Sequence, residues 1–201
     1  MRRIGSWIMQ NDLRFLVAVG VAILLLVVIV RPLFWGGFTA TEGAIYERPA
    51  TVSQDVEDRA LEHALLLVYE VEIRFDAERV CPSDADACVR DIDPQIIHLD
   101  QSLGEIALDQ PGLFVTIVIH EAAHVYDLEH DLDLAPFREF DDIIEPREVF
   151  ADCAAQAIVL IADPSYLECP EEGRLLALDI LGIESVRLGW VGDRISLDVR
   201  R

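Results

Sequence analysis

The chain has 201 residues, with 16 basic side chains, all of them arginine, against 37 acidic ones, for a net charge of −21 at neutral pH. So acidic a surface argues against nucleic acid or anionic lipid headgroups as partners and leaves a weak bias toward basic ones. The length suits one domain with a workable core beyond any terminal segment.

The chain starts Met1-Arg2-Arg3, and residues 15–30 are apolar without a break between Arg14 and Arg31. With Arg31 snorkelling and Leu33-Phe34-Trp35 following, residues 15–35 approach the roughly 20 residues of a bilayer crossing. Trp7 and Trp35 lie on either side, where interfacial aromatics belong. Arg2, Arg3 and Arg14 put residues 1–14 in the cytoplasm by the positive-inside rule, and everything after Trp35 outside. This describes a single-pass protein of the cell membrane; the alternative is a signal peptide cleaved near Thr39-Ala40, which would release the remainder. Residues 36–50, with Gly36, Gly37, Gly43 and Pro49, read as a tether, and residues 51–201 as the folded domain.

Ser53 is placed to cap a helix over 54–75, since Val56, Ala60, Leu61, Ala64 and Leu65 keep a helical period. His63 on that helix reads as a surface residue. Cys81, Cys88, Cys153 and Cys169 all follow the apolar segment, and an even number in an exported domain reads as two disulfides. Sequence alone leaves the connectivity open. Cys81–Cys88 and Cys153–Cys169 are favoured because each closes a short loop rich in turn residues, Pro82-Ser83-Asp84 and Asp163-Pro164-Ser165. A zinc site made of these cysteines is the weaker reading, because no CxxC pair exists. Residues 92–99 and 105–108 look like two strands of a hairpin around Ser102-Leu103-Gly104.

Pro111 can open a helix whose apolar run over 112–119 leads into His120-Glu121-Ala122-Ala123-His124. This is HExxH. On a helix the two histidines lie one turn apart on one face and suit a zinc ion, and Glu121 projects beside it as a base for a water molecule. The run is rich in β-branched residues, so helix is chosen over strand on the need to face both imidazoles one way and on its nearly all-round hydrophobicity. A third ligand is needed, and there are two candidates. His130 gives HEAAHVYDLEH, the histidine spacing of the metzincins, with Asp127 where that group has Gly; but the only methionines, Met1 and Met9, lie far upstream of any methionine turn. Glu148 lies in Pro146-Arg147-Glu148-Val149-Phe150-Ala151-Asp152, where Pro146 can start a helix that puts Glu148 and Asp152 on one face.

This second helix resembles the ExxxD element of the gluzincin-type zincin metallopeptidases, the thermolysin-like group; the resemblance spans roughly residues 111–162. It implies that His120, His124 and Glu148 are zinc ligands, Glu121 the catalytic base and Asp152 the carboxylate that orients a ligand histidine. Glu148 is favoured over His130, the alternative ligand, because a ligand histidine needs an outer acceptor and Asp152 supplies one. The fold it implies is α+β and zincin-like, helix-rich with a small mixed sheet whose edge strand lies along a peptide substrate. His98, Tyr126 and Tyr166 are candidate oxyanion donors.

Residues 129–145 are strongly acidic without EF-hand spacing and read as a solvated loop whose aromatics can line a cleft. A helix over 146–162 follows, then one over 171–181 ended by Gly182, and a tail whose Ile195, Leu197 and Val199 alternate like a strand. The expected function is a membrane-anchored zinc metalloendopeptidase acting on protein or peptide substrates, with Zn2+ as cofactor and an oligomeric state the sequence leaves open. The alternative is a non-catalytic exported module that binds zinc or a protein on a zincin scaffold; a chance HExxH in an acidic helical domain is the third reading.

Overall fold

The computed structural model describes residues 46–83, 85–141, 143–159, 168–191 and 194–201, with the side chains of 190, 191 and 194 excepted. The expected anchor over 15–35 and most of the tether lie outside these residues, as do Tyr166 and the 163–165 turn. Among the described residues no helix is long and apolar enough to cross a membrane. In chain order the elements are α1 (Gln54–Ala64), β1 (Glu72–Arg74), α2 (Ala77–Val80), β2 (Ala87–Val89), β3 (Ile96–Leu99), α3 (Leu103–Asp109), α4 (Pro111–His130), a 3-10 turn (Ala135–Glu139), α5 (Pro146–Val159), α6 (Glu171–Ile180), β4 (Ser185–Val191) and β5 (Arg194–Arg200). The class is α+β.

Helix α4 is the centre of the unit Tyr46–Arg201. Each β-branched residue in it forfeits at most about 0.7 kcal/mol of helix propensity, whereas burying such a side chain is worth about 1.5–3 kcal/mol. Burial therefore wins: Val115, Val118 and Ile119 are fully covered, and the Thr116 hydroxyl satisfies itself on the Gly112 carbonyl at 2.9 Å. The helix ends on Asp131, whose left-handed backbone (φ 49°) lets its N–H donate to the Asp127 carbonyl at 2.9 Å.

A three-stranded sheet of order β1-β3-β2 packs beside α4, with β1 parallel and β2 antiparallel to β3. The strand expected over 92–99 begins only at Ile96, and its neighbours differ from the expected hairpin. Residues 105–108 are helical, because Leu103 and Ala107, four apart, are buried while Leu108 is exposed. Strand β2 takes the place opposite β3, tied to the end of α2 by the Cys81–Cys88 disulfide. The first helix keeps its Ser53 cap but stops at Ala64 instead of 75. Beyond a turn the burial period switches from helical to alternating, with Ile73 and Phe75 inward and Glu72 outward, and Phe75 N–H donates to the Tyr46 hydroxyl at 2.9 Å. His63 is buried instead of exposed, and desolvation lowers its pKa.

Helix α5 lies along α4 and is buried on nearly every side. Phe137, from the acidic stretch, is fully buried and meets the Phe150 ring edge-on at 5.4 Å, so it serves the core beneath α5 and not a cleft. The Cys153–Cys169 disulfide staples α5 to the start of α6, and Cys169 N–H donates to Gln156 Oε1 at 3.0 Å. Both pairings are those the short loops favoured. The tail forms the antiparallel hairpin β4–β5, with Leu188 opposite Leu197.

Gly173 on α6 lies against the second disulfide: a Cβ there would stand 2.7 Å from Cys169 Sγ and 3.0 Å from Cys153 Sγ. Alanine would gain up to about 1 kcal/mol of helix propensity in an open position. Overpacking against a bonded sulfur pair costs about 1–3 kcal/mol, and the clash should win. We expect Gly173→Ala to lower the urea midpoint at an unchanged m-value; a raised midpoint would contradict this packing.

Candidate metal centre

The site forms where α4 runs alongside the first turn of α5. Because α4 is an unbroken helix through HEAAH, His120 and His124 share a face, and their Nε2 atoms lie 3.1 Å apart. Pro146 starts α5, and the N–H groups of Glu148 and Val149 donate to the Glu145 carbonyl. Glu148 then reaches across so that its Oε2 lies 3.4 Å from both His120 Nε2 and His124 Nε2. One turn further, Asp152 Oδ1 stands 2.8 Å from His120 Nδ1, which aims the opposite ring nitrogen into the cluster. Among the described residues, His120, His124 and Glu148 are the group of donors placed to hold a metal ion.

His130 does not join them. Helix α4 continues straight through Asp127, so His130, six residues after His124, is turned about 120° away round the axis. Its ring stacks on Tyr126 at 4.0 Å and its Nδ1 pairs with the Tyr126 carbonyl at 2.9 Å. The left-handed residue is Asp131, after His130, so the chain never bends at 127 as the metzincin spacing would require.

The electrostatics are those of a site that wants a cation. Burial, the strongest single influence, pulls the His120 pKa down, but hydrogen bonding to Asp152 and Glu148 outweighs it and raises the value to about 10. Without a metal these carboxylates favour the doubly protonated imidazole. Glu148 is held far below the ordinary carboxylate range by its bonds to His120 and His124. Glu121 is pushed the other way: desolvation raises its pKa, opposed by His120 and His124. Its Oε2 is buried with no hydrogen-bond partner among the described residues, a costly state unless another group, such as a water molecule, meets it.

The donors open into a cleft of about 300 Å³, floored by His120, Glu121 and His124, with Glu148 and Arg147 on one wall and β2 on the other. The edge strand that lines the cleft is thus 87–89, where the sequence pointed to 92–99 and 105–108; the staple at Cys88 was the available signal. A more open hollow of about 380 Å³ adjoins the cleft and shares Leu128 and Arg147 with it. His98 is fully buried, its Nδ1 bonded to Asp76 at 2.7 Å and its Nε2 facing Asp93 at 3.7 Å. The Tyr126 hydroxyl donates to the Ile180 carbonyl at 3.4 Å.

No protein-family model, no curated protein and no solved structure matches this chain.

Metal uptake is expected to displace a proton from His120, whose pKa Asp152 and Glu148 raise to about 10. Affinity should accordingly fall by about tenfold per pH unit as the medium is acidified, with about one proton released per ion at neutral pH. Calorimetry in buffers of different ionisation heat measures that number, and pH-independent affinity would contradict the electrostatics. Glu148→Ala should lose most of the bound metal and Asp152→Ala about 10–100-fold in affinity, with His130→Ala at wild-type stoichiometry.

Proposed function

We propose that the chain is a zinc metallopeptidase of the gluzincin type, anchored in the cell membrane by residues 15–35, with its hydrolytic domain on the extracytoplasmic side. The observation that carries this reading is the separation of the three donor atoms, 3.1, 3.4 and 3.4 Å. Donors at zinc–nitrogen and zinc–oxygen distances on a tetrahedron stand about 3.3–3.4 Å apart, so the set suits that ion, and two imidazoles plus one carboxylate leave a fourth position open. His120, His124 and Glu148 would hold the ion. When bound, zinc supplies Lewis-acid polarisation of a carbonyl and acidifies water.

The remaining work falls to side chains of this chain. Asp152 keeps the His120 ring oriented and makes it a stronger donor. Glu121, buried beside the histidines with a carboxylate oxygen that has no partner among the described residues and with a raised pKa, accepts the proton of the attacking water and passes it to the departing amine. Among the described residues strand β2 is bonded to β3 on one side only, so its other edge presents backbone N–H and C=O groups to an extended peptide lying in the cleft. The two disulfides suit an oxidising, extracytoplasmic compartment.

The test is metal content of the purified full chain together with digestion of an unfolded protein, with and without chelator. Glu121→Gln should retain wild-type zinc and lose hydrolysis by about 10²–10⁴-fold. Stoichiometric zinc with no chelator-sensitive cleavage would replace the enzyme reading by that of a non-catalytic zinc-binding module.

A further inference from the structure

Among the described residues lining the cleft, Arg147 carries the permanent positive charge, in a chain whose net charge is −21. It stands where the cleft meets the neighbouring hollow and lines both. One guanidinium nitrogen lies 3.5 Å from Asp91 Oδ1 and the other 3.6 Å from Asp127 Oδ2. Both separations are longer than a hydrogen bond, and the side chain is 42% exposed. The head group is thus steered by charge, while its fork of N–H donors is free of hydrogen bonds among the described residues.

The two carboxylates are unequal partners. Asp127 is buried and belongs to α4, so it fixes where the guanidinium sits. Asp91 is 77% exposed, in the loop that follows edge strand β2, and such a contact is weak and replaceable. A planar carboxylate entering from the cleft can take Asp91's place and engage the fork with two parallel bonds, which water or a peptide carbonyl cannot match.

We infer that Arg147 is a specificity-determining residue that binds a carboxylate of the peptide substrate where the cleft meets the hollow, displacing Asp91; the inference rests on the peptidase reading of the site. Two sources offer that chemistry: the α-carboxylate of a peptide C-terminus, which would make the enzyme trim chain ends, and an Asp or Glu side chain within the peptide. The overall charge points toward basic partners, and Arg147 is a local exception to it within the cleft.

The experiment uses the full chain with one equivalent of zinc and fluorogenic peptides of one sequence in matched forms, free acid against C-terminal amide and internal Glu against Gln. One carboxylate form should show a KM about tenfold below that of its neutral twin; whether that is the free acid or the Glu peptide identifies the source. Arg147→Gln should erase the difference by raising KM for the preferred form about tenfold, with zinc content near wild type, and Arg147→Lys should restore part of it. Asp91→Asn, at an exposed position, removes the competing carboxylate and should lower KM for the preferred form further. Equal KM values in the wild type, or a preference that survives Arg147→Gln, would overturn the assignment. Fluorescence anisotropy with the same peptides reads the preference without turnover. A carboxylate preference lost in Arg147→Gln with no hydrolysis would keep the binding role and sink the peptidase reading; no preference in either assay sinks the binding role.

Discussion

Two imidazole nitrogens 3.1 Å apart, faced by a carboxylate at 3.4 Å from each, form a cluster that is stable only with positive charge inside it. The rest of the domain is arranged to hold these groups where they are. Asp152 is buried and close to His120, and an uncompensated charge there would cost several kcal/mol. A proton on His120 answers that demand in the metal-free protein, and a metal ion would answer it better because it would satisfy three donors at once. A metal ion held there would link the seam between α4 and α5 to occupancy of the site.

The disulfides lie next to this seam. Cys153 follows Asp152 directly, so the Cys153–Cys169 bond fixes the part of α5 from which that carboxylate projects. Gly173 marks how closely α6 approaches, with no room for a methyl group against the sulfurs. Cys88, on edge strand β2, is tied to Cys81 and so holds the opposite wall of the cleft. Each bond closes a short loop, and its location beside the site matters more than the modest entropy it removes from the unfolded chain.

Charge is distributed on two scales. The molecule as a whole is strongly negative and repels anions at a distance. Within the cleft, short-range geometry takes over: Glu121 is shielded by burial, Glu148 is neutralised by the histidines, and Arg147 projects a fixed cation between two unequal carboxylates. A contact of a few ångströms in a partly dry cleft outweighs a diffuse field screened by salt.

The sequence by itself determined the local geometry. HEAAH puts two imidazoles on one face, and the i, i+4 pair Glu148 and Asp152 shares another, because a helix repeats every 3.6 residues whatever surrounds it. The Ser53 cap, Pro111 at the head of α4 and the end of α6 before Gly182 were legible for the same reason, and both disulfide pairings were favoured by it while the connectivity stayed open: each is a relation among residues close in the chain. Short apolar stretches misled. Residues 71–75 and 105–108 are too brief for periodicity to separate strand from helix, and only packing against α4 and its neighbours settled β1 and α3. The sequence favoured Glu148 over His130 through its Asp152 partner, but spacing alone left both open, and which of them reaches the histidines lay beyond it. Tertiary structure decided it through two long-range facts: α4 continues straight past Asp127 and carries His130 away from the cluster, and α5 is laid along α4 so that a carboxylate twenty-four residues after His124 arrives at its ring. The edge strand and Arg147 belong to the same category, because what lines a cleft depends on which distant segments meet there.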